Sequence, residues 1–469
     1  MADIADGLLR PVEWIEEQVA AATEPVIRLG VTGPSRAGKT VFITSLVANL
    51  IDLARMPQLG AVRQGRLLQA YLQPHPDTTV PRFDFEGHLA ALTGDPPRWP
   101  ESTRAISQLR LSLRLRPESR LRRLAGLRTV HLDIVDYPGE WLLDLPLMSL
   151  SFASWSAEAL AAAREPARAP LAAAWLSQLA ATDPAAPLDE PAAQRLADAF
   201  RDYLRAANRA GLSHLAPGRY LMPGDHEGSP MLTFCPLPRT EGARRGSLWR
   251  AFERRYDAYR RNLVEPFFRN HFARLHRQVV LIDVLDALAR GPRAVADLRR
   301  AMTAILACFR AGQNGLFAFL TGARIERLLF CATKADHLHH SQHDRLAAIA
   351  RALVAEAEQG ARFRGAETAA MAVASLRATV EQELPHGGAR IGMVRGRLPD
   401  GREVALHPGD LPEDPAAVLG ASRAGLAQWP EGDYHSVEFA PPMLAVRHGR
   451  GLPHIRLDRA LEFLIGDRL

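Results

Sequence analysis

Only two lysines occur among the 58 lysine and arginine residues of this 469-residue chain, Lys39 and Lys334. A chain this biased towards arginine keeps lysine where a compact ammonium does what a planar guanidinium cannot. Lys39 stands in Gly33-Pro34-Ser35-Arg36-Ala37-Gly38-Lys39-Thr40, a Gly-x4-Gly-Lys-Thr pattern. Such a loop, set between a strand and a helix, turns backbone N–H groups inward around phosphate oxygens, and the helix N-terminus adds positive charge. The expected cradle is Gly33, Ser35, Arg36, Ala37, Gly38, Lys39, Thr40 and Val41. In it Lys39 bridges the β- and γ-phosphates catalytically and the Thr40 hydroxyl binds Mg2+.

Asp136 ends an apolar run and Gly139 follows three residues later. That spacing puts a carboxylate near the metal and a glycine N–H at the terminal phosphate. Glu140 comes next, where a side chain can orient the attacking water, although its charge needs compensation beside a phosphate. Thr333-Lys334-Ala335-Asp336 follows a second apolar run and suits a guanine-reading loop. The Asp336 carboxylate would accept from guanine N1 and N2, a donor pair adenine lacks, and the Lys334 stem would cover the base. Thr333 replaces the more usual Asn there, and a helix N-cap is the alternative role for Asp336. Ser375 and Leu376, after the apolar run Ala369–Ser375, suit a loop that lays its backbone against the base. Thr103, just ahead of a strand expected from Ile106, is the candidate to complete the Mg2+ shell, with Ser102 and Thr93 as rivals.

In this order the motifs resemble a Ras-like G domain. Longer stretches are similar to the YcjX family of bacterial stress-associated P-loop GTP-binding proteins. They are Gly33–Thr40, Asp136-Tyr137-Pro138-Gly139-Glu140-Trp141, Pro217-Gly218-Arg219-Tyr220-Leu221-Met222-Pro223-Gly224-Asp225, Thr333–His340 and Ser375–Thr379. The resemblance covers essentially the whole chain. It implies GTP/GDP with Mg2+, a G domain carrying a large helical insertion, and a cytoplasmic protein working beside a membrane-associated partner. Arg36 stands where guanylate-binding large GTPases carry an internal arginine finger; a solvent-facing loop arginine is the alternative.

The elements that must position these residues follow from periodicity and breakers. Residues 8–22 suggest an amphipathic helix, Val26–Thr32 a strand, and Lys39 to Ala54 a helix. Residues 55–104 read as a proline-rich irregular loop. Ile106–Arg116 and Thr129–Val135 read as strands, joined through Pro117 and Gly126. Residues 150–275 turn Ala- and Leu-rich. Beyond them, Gln278–Leu285, Arg327–Ala332 and Ala369–Ser375 read as strands, Val295–Ala311 and His343–Gly360 as helices, Met393–Val404 as a hairpin with a Pro-Asp-Gly turn, and Ile455–Ile465 as an amphipathic helix. The fold class is therefore α/β: a P-loop NTPase G domain with a mostly parallel three-layer sheet, a large helical insertion and a β-containing C-terminal region. The expected division is an N-terminal helix (1–24), G domain (25–149), helical insertion (150–275), G domain again (276–380), a β-rich region (381–450) and a C-terminal helix (451–469).

Composition narrows the function classes. Apolar content of 47% and charged content of 23% suit a globular protein with a sizeable core. The net charge of +6 is spread along the chain, and the arginines of 110–128 have no interleaved aromatics, which argues against nucleic acid. No run approaches a membrane span and the acidic N-terminus has no export pattern. The expected location is the cytoplasm, at most peripheral to the inner membrane. Cys235, Cys308 and Cys331 make neither a disulfide framework nor a zinc set. His337, His339, His340 and His343 cluster after Asp336. His339 and His343 have the i, i+4 spacing that suits a metal on one helix face, but no Glu lies between them as in a hydrolytic zinc helix, and structural or interaction roles are the expectation. The function read from all this is a Mg2+-dependent GTP-binding switch with slow hydrolysis. A nucleotide-gated interaction or membrane-recruitment protein with negligible hydrolysis, and an ATPase, are the alternatives.

Overall fold

The computed structural model describes residues 24–34, 36–74, 77–101, 105–117, 126–212, 215–307, 325–363, 365–386, 389–424, 437–444 and 449–469. The expected helix at 8–22, Ser35, Ser102 and Thr103 lie outside them.

Among the described residues, ten strands form two sheets. The larger contains β1 (Val26–Thr32), β2 (Leu67–Gln73), β3 (Ser107–Leu115), β4 (Arg128–Asp136), β5 (Arg277–Ile282), β6 (Arg327–Ala332) and β7 (Glu367–Ala372). Their spatial order is β2-β3-β4-β1-β5-β6-β7. The five strands from β4 to β7 run parallel, while β2 and β3 pair antiparallel at one edge. The smaller sheet holds β8 (Thr379–His386), β9 (Ala389–Arg397) and β10 (Glu403–Leu406), all antiparallel.

The period-two alternation of strand side chains divides the interior into two layers. Val279 and Leu281 of β5, with Leu329 and Cys331 of β6, pack on helix α1 (Lys39–Asp52). Helix α2 (Phe85–Thr93) joins that layer, capped by Asp84, whose carboxylate accepts from Gly87 N. Val280 and Ile282, with Leu328 and Phe330, point the other way, into the second layer. That layer begins with the helical segment between β4 and β5: α3 (Phe152–Ala163), α4 (Ala169–Ala180), α5 (Glu190–Arg209) and α6 (Leu248–Tyr259). It continues with α7 (Val284–Ala289), α8 (Pro292–Ala307), α9 (His343–Leu353) and α10 (Ala355–Phe363) after β5 and β6, and α11 (Pro415–Ala424) beyond the small sheet. A 3-10 stretch, Gly139–Ser149, leads from β4 into the helical segment.

Aromatic rings build the interior of that segment. Trp155 stacks on Tyr256 with centroids 5.1 Å apart, and Trp175 on Tyr203 at 5.6 Å. The segment is tied to α8 by a fully buried ion pair, Arg168 Nη2 to Asp297 Oδ1 at 2.7 Å. Breaking one half of such a pair strands the other charge in the interior, which costs several kcal/mol.

The last helix, α12 (Leu457–Ile465), returns to the α1 face of the large sheet. Asp467 just beyond it accepts from the buried Arg277 at the start of β5 (2.8 Å), and Arg327 Nη1 of β6 donates to Phe463 O (2.6 Å). Glu462 Oε2 accepts from Gly60 N at 2.8 Å, so the end of the chain also holds the stretch that leads to β2.

Four local expectations change. Residues 55–104 are not irregular throughout: they contain β2 and α2, with Pro74, Pro81, Pro96, Pro97 and Pro100 outside both elements. Strand β5 ends at Ile282, because Asp283 caps α7 by accepting from Asp286 N (3.1 Å). The single helix expected over His343–Gly360 is two, α9 and α10, with Val354 between them. His339 precedes α9, which starts at His343, so these two histidines do not share a helix face. The hairpin around Pro399-Asp400-Gly401 is present as β9–β10, with β8 added on its other side.

Candidate nucleotide site

Strand β1 ends at Thr32 and the chain turns through Gly33 into α1. Gly38 has φ 87°, a left-handed conformation that glycine adopts without strain. Arg36 is exposed and also left-handed, at φ 65°. Lys39 is buried at the first position of α1 and its Nζ donates to Gly33 O (2.9 Å) and Pro34 O (3.3 Å). The ammonium is thus held over its own loop, inside the ring of backbone where a phosphate would sit. Thr40 is buried beside it and Val41 half-buried.

Asp136 is the last residue of β4, in register with Val31 of β1, and is fully buried. Parallel neighbours end on the same edge of a sheet, so this carboxylate lies at the edge from which the phosphate loop departs. Gly139 then abuts the loop itself: a Cβ there would lie 1.8 Å from Gly33 O and 2.6 Å from Gly33 C. Any larger residue would force the two backbones apart. Glu140 is buried in the first turn of the 3-10 stretch.

Thr40 and Asp136 offer a hydroxyl and a carboxylate, hard oxygen donors of the kind Mg2+ takes while keeping several waters. The residues present fit that ion.

The second lysine lies at the end of β6. Thr333 N donates to Ile282 O at 3.0 Å, joining the ends of β5 and β6. Lys334, left-handed at φ 59°, sets its Nζ 2.5 Å from Asp283 Oδ2. Asp283 therefore caps α7 with one oxygen and holds the lysine with the other. Asp336 is buried, and its Oδ2 accepts from Ala378 N at 2.8 Å. Ala335 N donates to Val373 O, which brings the turn against the end of β7, just ahead of Ser375 and the buried Leu376. His337 packs edge-on against Phe439, and burial holds its imidazole below the ordinary pKa.

The two lysine loops share one edge of one sheet. Gly33 rests on β5, where an added Cβ would lie 2.4 Å from Leu281 O, and two residues later Asp283 holds Lys334. Strand β5 thus links them across 295 residues of sequence. Of the rivals for the Mg2+ shell, Thr93 turns its hydroxyl back into α2, donating to Leu89 O at 2.8 Å.

Residues to which the motifs assign no chemical role, Gly218 and Arg219 among them, clasp Glu140 from the far side. A Cβ on Gly218 would lie 1.8 Å from Glu140 O. Gly218 N donates to Asp144 Oδ1 (2.7 Å) and Tyr259 OH to Asp144 Oδ2 (2.6 Å). The Arg219 guanidinium lies 3.8 Å from the centroid of the Trp141 ring, whose Nε1 donates to Met222 O at 2.9 Å. Burial pushes the Asp144 carboxyl up to about 6, against the opposing pull of Arg219, Tyr259 and Gly218 N–H. No local pattern announces this clasp, because its halves stand more than 70 residues apart.

A mostly parallel sheet with a phosphate-loop turn after its first strand, flanked by helices, is a P-loop α/β protein of the G-domain kind. The chain belongs to the YcjX-like family (DUF463), whose model matches residues 27–469. It is 40% identical over 456 residues to the Ras-like GTPase YcjX of Escherichia coli strain K12, covering 94% of this chain and 96% of that protein. It is 35% identical over 467 residues to the Ras-like GTPase YcjX of Shewanella oneidensis, with 94% of each covered. Among the described residues no helix is long and apolar enough to cross a membrane.

Proposed function

We propose that this chain binds GTP with Mg2+ and hydrolyses it slowly, acting as a nucleotide switch. The observation that carries the reading is the contact of Gly139 with Gly33, which joins the Asp-x-x-Gly turn to the phosphate loop as γ-phosphate sensing requires. The name shared by its relatives, Ras-like GTPase, supports the same chemistry.

In this reading the loop N–H groups and Lys39 hold the phosphates, and Lys39 exchanges the carbonyls of Gly33 and Pro34 for phosphate oxygens. Thr40 and Asp136 would hold the ion, which would supply positive charge to the phosphates. Gly139 N–H meets the γ-phosphate, Glu140 orients water, and Arg36 supplies positive charge to the transition state. Asp336 reads guanine N1 and N2 while Lys334 covers the base, with Thr333, Ser375 and Leu376 closing around it. The Asp144–Gly218–Arg219 clasp supports a switch role, since movement of Gly139 and Glu140 reaches the helical segment directly.

Competition of GDP and ADP for a fluorescent guanine nucleotide tests the base assignment. GDP is expected to displace it at concentrations on the order of 100-fold or more below ADP, because an unmatched hydrogen-bonding site rejects the wrong base strongly. Equal displacement would leave an ATPase, or a site that does not read the base.

A further inference from the structure

His339 and His340 lie between the base-reading turn and α9, and face Glu381 and Glu383 of β8. The two carboxylates are two positions apart on one strand, so they project from the same face. His340 Nδ1 is 2.6 Å from Glu381 Oε2. His339 Nε2 is 3.8 Å from the same oxygen and 4.0 Å from Glu383 Oε1. One donor atom each from His339, His340 and Glu381 falls within 4.8 Å of the others.

The seat of His339 is built rather than incidental. Its side chain is only 10% exposed, and its Nδ1 lies 2.9 Å from Ser341 Oγ, which orients the ring and leaves Nε2 towards the carboxylates. Across from it, Gly392 of β9 makes room for the ring: a Cβ there would lie 2.6 Å from His339 Cγ. A metal-bound imidazole is commonly fixed in this way, through a hydrogen bond on its other nitrogen. The rings of His339 and His340 are also close, with centroids 4.1 Å apart. Arg377 and Arg390 reach the outer oxygens of Glu381 and Glu383, at 3.4 and 3.2 Å, and leave the inner oxygens to the histidines.

Two imidazole nitrogens and one or two carboxylate oxygens make a donor set for Zn2+ or a similar borderline divalent ion, not for Mg2+. We propose that His339, His340 and Glu381, with Glu383 as fourth donor, bind such an ion. It would take the place of the His340–Glu381 hydrogen bond and pin β8 to the turn that carries Asp336. That turn already holds the start of β8 through Ala378 N and through the Thr379 hydroxyl, which donates to Asp336 O. The ion would therefore stiffen the join between the base-reading turn and the small sheet. Ion binding itself does not rest on the nucleotide reading, since none of its donors is assigned to phosphate, base or Mg2+; only its effect on the base-reading turn does.

Titrating the full-length, chelator-stripped protein with Co2+ in the presence of excess Mg2+ tests the proposal. One equivalent of Co2+ should produce the intense visible absorption of a four-coordinate site, and Zn2+ should abolish it. His340→Ala removes a side chain that is two-thirds exposed, so the fold is not at stake. It should weaken Co2+ binding by at least roughly 10- to 100-fold, and Glu381→Gln by a similar factor. Absorption that fails to appear, or that persists undiminished in both variants, would overturn the proposal.

Discussion

Replacing Gly218 by alanine changes a residue outside the loops we assign to the nucleotide, yet it should slow hydrolysis. The new Cβ would meet Glu140 O at 1.8 Å and Glu140 C at 2.5 Å, both backbone atoms that no rotamer can move aside. Reaching even 3.0 Å requires a movement of about 1.2 Å between Gly218 and Glu140. On the other side Tyr220, two residues after Gly218, is fully buried and its hydroxyl accepts from Phe234 N at 3.0 Å, so Gly218 is anchored in the helical segment. The displacement falls on Glu140, which in our reading orients the attacking water. A misplacement of about 1 Å can cost on the order of 100-fold in rate. Single-turnover hydrolysis of GTP should fall by about that factor, while GDP affinity, set by the phosphate and base loops, changes by less than roughly fivefold. Thermal unfolding run alongside shows whether the variant remains folded; overpacking of this kind typically costs about 1–3 kcal/mol. A folded Gly218→Ala protein that hydrolyses GTP at the wild-type rate would refute the claim that the helical segment positions Glu140. Gly420→Ala is the matched control, because a Cβ at that position meets nothing within 4 Å.

Asp336→Asn keeps an oxygen for Ala378 N–H and turns an amide donor towards the base, which suits the C2 carbonyl of xanthine and opposes the N2 donor of guanine, so preference should move from guanine to xanthine nucleotides by on the order of 100-fold. Unchanged preference would show that Asp336 does not read the base. If Arg36 is an internal finger, Arg36→Ala should lower saturated single-turnover hydrolysis by on the order of 1,000-fold or more; an unchanged rate would leave it a solvent-facing loop arginine. The Asp144 carboxyl stands near 6 when folded against 3.8 when unfolded. A raised acid favours the fold at low pH, and that contribution is lost as pH rises from about 4 through 6. The stability of the wild type relative to Asp144→Asn should therefore fall by roughly 2 kcal/mol between pH 4 and 7 and then level off. Denaturant unfolding of both proteins across that range, with a flat difference, would count against the buried acid.

What could be read without a structure was whatever sits within a few residues of itself. The phosphate loop is one such case: glycines, lysine and threonine at fixed spacing after an apolar strand dictate a turn into a helix N-terminus, whatever lies elsewhere. The Asp136–Gly139 and Thr333–Asp336 turns were legible for the same reason, each closing a strand whose apolar run names it. Strands β1, β4, β5 and β6 were found within a few residues of their ends because buried parallel strands are nearly continuous apolar runs. Strand β2 is not legible in this way, since as an edge strand it alternates weakly and stands in a stretch rich in proline.

The tertiary structure alone decided how these pieces meet. Only the strand order sets β5 between β1 and β6, and so brings the Lys39 and Lys334 loops to one edge. The chain's last helix closes the α1 face of the large sheet after the small sheet has intervened, and nothing in residues 457–465 names β5 and β6 as its neighbours. The grip of Gly218, Arg219 and Tyr259 on the residues after Gly139 is likewise invisible in sequence. Local propensity acts over a turn of chain, whereas a glycine chosen because another backbone passes within 1.8 Å of its missing Cβ carries no mark of that neighbour until the chain has folded.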